Sequence, residues 1–207
     1  MTILGSLDSD IHFQKTKEKE IRILCKQETR EDRPNVFKEN NLFILSVKNG
    51  HCVILQGKGY VNIPYKETTL SDYSSNLDVE LDTVKIGNSE MQHLDFAYAT
   101  SMIRTLMENS SLVLTIRGRK YIPEFSFYVG RDQITVKSVQ TEVDAGYEGR
   151  EQTVLIEAKN SYTQNVIICQ LFYPFRQWAS CTEKKVRAVF FEKRNNEYFF
   201  GNLNFQR

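Results

Sequence analysis

Residues 152–160 read Gln-Thr-Val-Leu-Ile-Glu-Ala-Lys-Asn, an apolar run that stops on a carboxylate, a small residue and an ammonium. In a strand, alternate side chains share a face. Val154, Ile156 and Ala158 then face a core, while Leu155, Glu157 and Lys159 face the other side. Two opposite charges emerge together where an apolar strand ends. The preceding strand-like run, QITVKSVQTEVD, ends in Asp144, and the intervening AGYEGRE carries Gly146 and Gly149 for a reversal. Pairing of the two runs as a hairpin brings Asp144 near Glu157. Two carboxylates beside a lysine suit a hard cation such as Mg²⁺, which takes oxygen ligands and often only one or two carboxylates. The ammonium can orient a water bound there. The same residues also read as a surface ion pair at i,i+2. A second Glu-x-Lys, Glu183-Lys184-Lys185, offers an internal comparison: it follows a polar turn, with no apolar strand in front of it and no aspartate run feeding it.

Around this run the chain alternates between periods of two and 3.6 residues. From Ser89, which is placed to cap a helix, Met91, Leu94, Tyr98, Met102 and Leu106 share one face and predict an amphipathic helix of about 18 residues. Strand-like runs follow in SLVLTIRG, EFSFYVG and QITVKSVQTEVD. A second helix is predicted over 163–180, kinked or interrupted by Pro174. VRAVFFEK and EYFFGNLNF close the chain as two strands joined by a short turn. Towards the N-terminus, IRILCK, LFILSV and HCVILQG read as strands, the last two joined at Lys48-Asn49-Gly50 in a hairpin. The turn-rich QETREDRPNVFKENN separates the first two. KTKEKE reads as a solvated arm. Residues 66–88 are polar and weakly periodic, a candidate boundary. We therefore expect a β-rich N-terminal region, 1–88, and a core, 89–207, of the α/β (α+β) class with a mixed central sheet flanked by helices.

Composition narrows the chemistry. With 27 basic and 26 acidic residues, a formal charge of +1 neither announces nor excludes a nucleic-acid partner. Cys25, Cys52, Cys169 and Cys181 lack paired metal or redox spacings and read as reduced packing residues. His12, His51 and His93 are equally scattered, which argues against a histidine metal centre or a Ser-His-Asp triad. Carboxylates remain as carriers of chemistry. No run approaches the roughly 20 apolar residues of a membrane span, and the N-terminus has no signal-peptide pattern, so a cytoplasmic protein is expected.

The order of amphipathic helix, strands, Asp144 at a strand end, the Glu157-Ala158-Lys159 strand, helix and further strand resembles the PD-(D/E)XK nucleases over about Ser89 to Phe205. The line DAGYEG…LIEAKN…CQLFYPFRQW is most similar to type II restriction endonucleases. The resemblance implies a restriction-endonuclease-like fold, Asp144 and Glu157 as Mg²⁺ ligands, Ala158 as a backbone ligand and Lys159 as the residue that positions water. It departs from the family name at Val143, where a proline is usual. It also implies a role for Gln170 near the water or phosphate; a buried amide satisfied by backbone is the other reading. Glu142, Asp95 and Glu108 are candidate accessory acids. Arg176 reads as a phosphate contact or a solvent-facing arginine, and Trp178 as core.

Such an enzyme needs phosphate contacts for register and base contacts for specificity. Arg117, Arg119 and Lys120, beside Tyr121, form one basic stretch. Arg30, Arg33 and Asn35, on a proline-stiffened loop, form a candidate reading loop, which Glu28, Glu31 and Asp32 neutralise into a salt-bridged turn on the other reading. The expected activity is Mg²⁺-dependent, site-specific cleavage of double-stranded DNA, with a homodimer expected by analogy. A structure-specific repair or mobile-element nuclease of the same fold, and a non-catalytic DNA-binding module, are the alternatives.

Overall fold

The computed structural model describes residues 25–63, 70–160 and 162–205. Among these, 25–63, 120–141 and 164–170 form one compact unit, and 70–119, 142–160, 162–163 and 171–205 form another. The KTKEKE arm and Ile21–Leu24 lie outside the described residues.

In the first unit, β1 (Leu42–Lys48) and β2 (His51–Gln56) form the expected hairpin, with Gly50 supplying the positive φ that its turn requires. The loop before it contains a short helix, α1 (Asn35–Glu39), that the turn-rich sequence did not suggest. β3 (Tyr60–Asn62) pairs with β9 (Asn165–Ile167), and β5 (Phe125–Val129) with β6 (Asp132–Val136), all antiparallel. Phe43, Leu45, Tyr60 and Ile167 form the buried centre of this unit.

The second unit is an α+β fold around a five-stranded mixed sheet ordered β11-β10-β8-β7-β4. Its strands are β4 (Val113–Tyr121), β7 (Gln140–Glu148), β8 (Gln152–Lys159), β10 (Lys185–Arg194) and β11 (Glu197–Leu203). β8 runs antiparallel to β7 and parallel to β10, so the Glu-x-Lys strand is central and covered on both faces. Val154, Ile156 and Ala158 pack with Leu94, Ala97, Ile103 and Met107, which come from α2 (Glu90–Ala99), α3 (Met102–Leu106) and the residue after it. Leu155 packs on the opposite face with Phe175 of α4 (Cys169–Ala179). The alternation expected for β8 is thus present, but both of its faces are core.

Three expectations change. The helix from Ser89 is capped as predicted, Ser89 Oγ accepting the Gln92 N–H, yet it breaks at Ser101, which takes a left-handed conformation with φ 64°. Thr100 Oγ1 donates back to Phe96 O at 2.8 Å, the local competition by which Thr and Ser weaken a helix. The helix predicted over 163–180 begins only at Cys169, because Asn165-Val166-Ile167 is drawn into β9; Pro174 lies buried inside the remaining helix. Finally, the run QITVKSVQTEVD divides into β6 and β7, and β7 continues past Asp144, so Asp144 does not end a strand and Gly146 is not in the reversal. It lies within β7, where a Cβ would come within 2.6 Å of Ile116 Cβ, so its role is close approach of backbone to a neighbouring side chain.

Candidate active site at the end of β8

The β7–β8 ladder is regular from Glu148↔Thr153 to Ala145↔Ile156. Beyond it the alternation slips: Val143 packs with Leu155 and Ile116, while Ala145, two residues on, lies in the opposite core. Asp144 sits at the slip. Its Oδ2 accepts the backbone N–H of Ala158 at 2.8 Å, replacing a strand-to-strand bond with a side-chain one. In an antiparallel pair a residue's N–H and C=O leave its strand on the same side. The Ala158 carbonyl therefore faces the side from which Asp144 arrives.

Lys159 Nζ donates to Glu157 Oε1 at 2.8 Å, and the two side chains are only 17% and 11% exposed. An i,i+2 ion pair on an open surface would leave both in water. Here the pair is held at the end of a strand buried on both faces. The second copy is placed differently: Glu183 and Lys184 lie in the turn before β10, Lys185 opens that strand exposed, and Lys184 pairs with Glu148. Burial pushes the Asp144 carboxyl above its ordinary value, an effect Glu142 adds to and the Ala158 N–H, Lys159 and Arg117 oppose.

Two carboxylates and a backbone carbonyl are hard oxygen donors, and this set fits Mg²⁺, which uses few protein ligands and keeps several waters. Among the described residues no cluster of three or more His, Cys, Asp or Glu is gathered as a metal cage.

Two of the three accessory acids are otherwise engaged. Asp95 of α2 accepts from both terminal nitrogens of Arg117, and Glu142 pairs with Arg119 at 3.1 Å. Glu108 is exposed in a left-handed conformation after α3. The bond to Asp95 holds the Arg117 guanidinium above its ordinary value, and the Asp144 carboxylate adds to that effect. Arg119 and Lys120 are exposed at the end of β4. Gln170, the second residue of α4, has its side-chain oxygen buried without a hydrogen-bond partner among the described residues. Trp178 packs into the core beside Phe175, as expected, and Arg176 lies over the Phe172 ring.

In the first unit, Arg30 donates to Asn62 Oδ1 and to Tyr60 O at 3.0 Å, and Arg33 donates to Arg30 O and Leu42 O. Both guanidinium groups also lie over the Tyr60 ring. Their observed bonds brace the loop, with Glu31 held by Asn165. Asn35 is exposed at the start of α1. All four cysteines are free, yet Cys25 and Cys52 meet as neighbours, and the hydrogen bond from Cys25 lowers the Cys52 thiol to about 6.

Sequence reasoning missed a second charged group beside the site. Glu192 of β10 is fully buried, stands in register with Lys159 and binds Arg194. The available signal was a charge inside an apolar run, VFFEKR, the same anomaly that VLIEAK presents. It also missed Asn160, whose amide donates to Asn88 O, while Asn88 Oδ1 bonds His93 Nε2 at 2.8 Å.

No helix among the described residues is long and apolar enough to cross a membrane. No curated protein and no solved structure matches the chain. Residues 9–54 match the family model described as Domain of unknown function (DUF6996). Residues 55–207, well over half of the chain and including all of the site, match the model described as Domain of unknown function (DUF6997), and the chain belongs to that family.

Proposed function

We propose that this chain is a Mg²⁺-dependent endonuclease that hydrolyses phosphodiester bonds in double-stranded DNA, with the site-specific cleavage of a type II restriction enzyme as its finer reading. The observation that carries the proposal is the bond from Asp144 to Ala158. It ties an acid from β7 to the centre of Glu157-Ala158-Lys159, at a strand end where two carboxylates and an ammonium are partly buried together.

Asp144, Glu157 and the Ala158 carbonyl would hold the cation, which when bound supplies charge stabilisation at the phosphoryl oxygens and acidifies water. Lys159 is a donor-only group. It orients the attacking water and offsets charge gathering on the phosphate. The water oxygen forms a new bond to phosphorus in line with the P–O bond that breaks, and the leaving alkoxide takes up a proton. Arg117, held by Asp95 within reach of Asp144, supplies a phosphate contact.

The internal bonding of Arg30 and Arg33 favours a second reading, a nuclease of the same chemistry that recognises structure rather than sequence. Incubation of long unmodified DNA with the purified protein, in Mg²⁺ and in EDTA, tests both. Discrete fragments support the restriction reading, and preference for flaps, junctions or ends supports the second. Glu157→Ala and Lys159→Ala should each lower cleavage on the order of 10²-fold or more. Binding without cutting under any divalent cation would sink the catalytic reading.

A further inference from the structure

Tyr162, three residues beyond Lys159, is 64% exposed. Its ring is backed by the Arg194 guanidinium, 4.6 Å from the ring centroid, and Arg194 lies in turn over the Phe199 ring at 4.8 Å. Arg194 is nearly buried. It is held by Glu192, which receives the Arg194 Nε–H at 2.7 Å on one oxygen and the Thr163 N–H at 2.8 Å on the other. A single carboxylate thus fixes both the cation behind the ring and the backbone beside it. Glu192 stands directly across from Lys159 in the parallel β8–β10 ladder. That sets the Glu192 backbone, the base of the assembly, about 5 Å, one strand spacing, from the backbone of the proposed catalytic lysine.

Stability alone does not account for this arrangement. A buried ion pair contributes little net stability compared with apolar residues of the same volume. The outermost member of the stack also leaves most of its surface in water, where it buries little. What the assembly does is back an exposed aromatic ring with a buried, carboxylate-held guanidinium, on the chain segment that follows a site suited to phosphate chemistry. Exposed aromatic rings stack nucleobases without regard to sequence. A base still stacked and paired within a duplex has no free face to offer.

Resting on the nuclease reading above, we infer that Tyr162, clamped by Arg194 and Glu192, is a stacking platform for an unpaired nucleobase next to the phosphate that is cut. The preferred substrate is then DNA with an unstacked or flipped nucleotide at the cleavage point.

The test is binding in EDTA of a single-stranded oligothymidylate carrying one 2-aminopurine, read by anisotropy and by quenching, with a fully paired duplex containing the same base for comparison. Wild type and Tyr162→Phe should bind and quench the single strand. Tyr162→Ala should bind it on the order of tenfold more weakly and lose the quenching, with an unchanged thermal midpoint because the ring is exposed. Equal binding and quenching by Tyr162→Ala, or no binding of the single strand by wild type, would overturn the inference. Cleavage in Mg²⁺, run in parallel, separates the two proposals. Cutting that persists with no Tyr162-dependent stacking removes the platform and keeps the nuclease. Tyr162-dependent stacking with no cutting of any DNA removes the nuclease and keeps a nucleotide-binding platform.

Discussion

The carboxylate of Asp144 accepts the backbone N–H of Ala158 at 2.8 Å, so the acid of one strand is anchored to the middle residue of Glu-Ala-Lys on the next. Asp144→Asn keeps an oxygen able to accept that bond and removes a charge that burial disfavours. It should abolish cation-dependent cleavage while leaving the thermal midpoint at or about 2 °C above wild type. Asp144→Ala leaves the Ala158 N–H without its partner and should lower stability by about 1–2 kcal/mol. Differential scanning calorimetry of the two variants checks the contrast.

The acid limb of activity follows from the same residue. Cation binding requires the Asp144 carboxyl to be ionised, and burial raises its proton affinity in the folded state. Cation affinity and cleavage should therefore fade on acidification at a higher pH than an ordinary aspartate would give. For stability the sign is reversed. The folded state holds this proton more tightly than the unfolded chain, so the contribution of Asp144 is most favourable below its unfolded value and declines as pH rises through the folded one. Titration calorimetry with Mg²⁺ across the acid range, on wild type and Asp144→Asn, measures the first effect; a midpoint indistinguishable from a free carboxylate would refute it.

Glu192 and Arg194 should couple strongly. Removing either partner strands a buried charge, so Glu192→Ala or Arg194→Ala should each cost about 3–5 kcal/mol. Glu192→Met with Arg194→Leu should cost much less than the sum of the single changes. A double-mutant cycle by urea unfolding reads the coupling directly.

Asp95 and Arg117 present the opposite case, because their side chains are 56% and 31% exposed. Asp95→Asn should change stability by less than about 1 kcal/mol. Arg117→Ala should weaken DNA binding and flatten its dependence on salt, as expected when a phosphate contact is lost. Binding isotherms at several salt concentrations provide the measurement.

Gly146→Ala tests the packing of β7. The added methyl would meet Ile116 Cβ at 2.6 Å, a branched carbon that no rotamer change withdraws. A loss of about 1–3 kcal/mol is expected, read as a lower thermal midpoint.

Residues whose roles are set by near neighbours were legible in the sequence. The Ser89 cap, the Asn49-Gly50 hairpin, the split faces of Val154-Leu155-Ile156 and the charged end of β8 all depend on spacing along one element. The break at Ser101 was partly legible, since Ala99-Thr100-Ser101 combines a small residue with two that compete for helix carbonyls. What escaped was fixed by distant partners. Asn165-Val166-Ile167 became a strand because β3, a hundred residues earlier, offers an edge to it. Gly146 looks like a turn residue until Ile116 is seen beside it. Local chemistry thus determined that the apolar run before Glu157 and Lys159 forms a strand ending on that pair, whereas Asp144, expected at a strand end, lies in the middle of β7. Only the tertiary structure decided that Glu192 lies across from Lys159, that Arg194 backs Tyr162, and that Arg30 and Arg33 bond inward, because sheet register and burial join residues that no spacing along the chain relates.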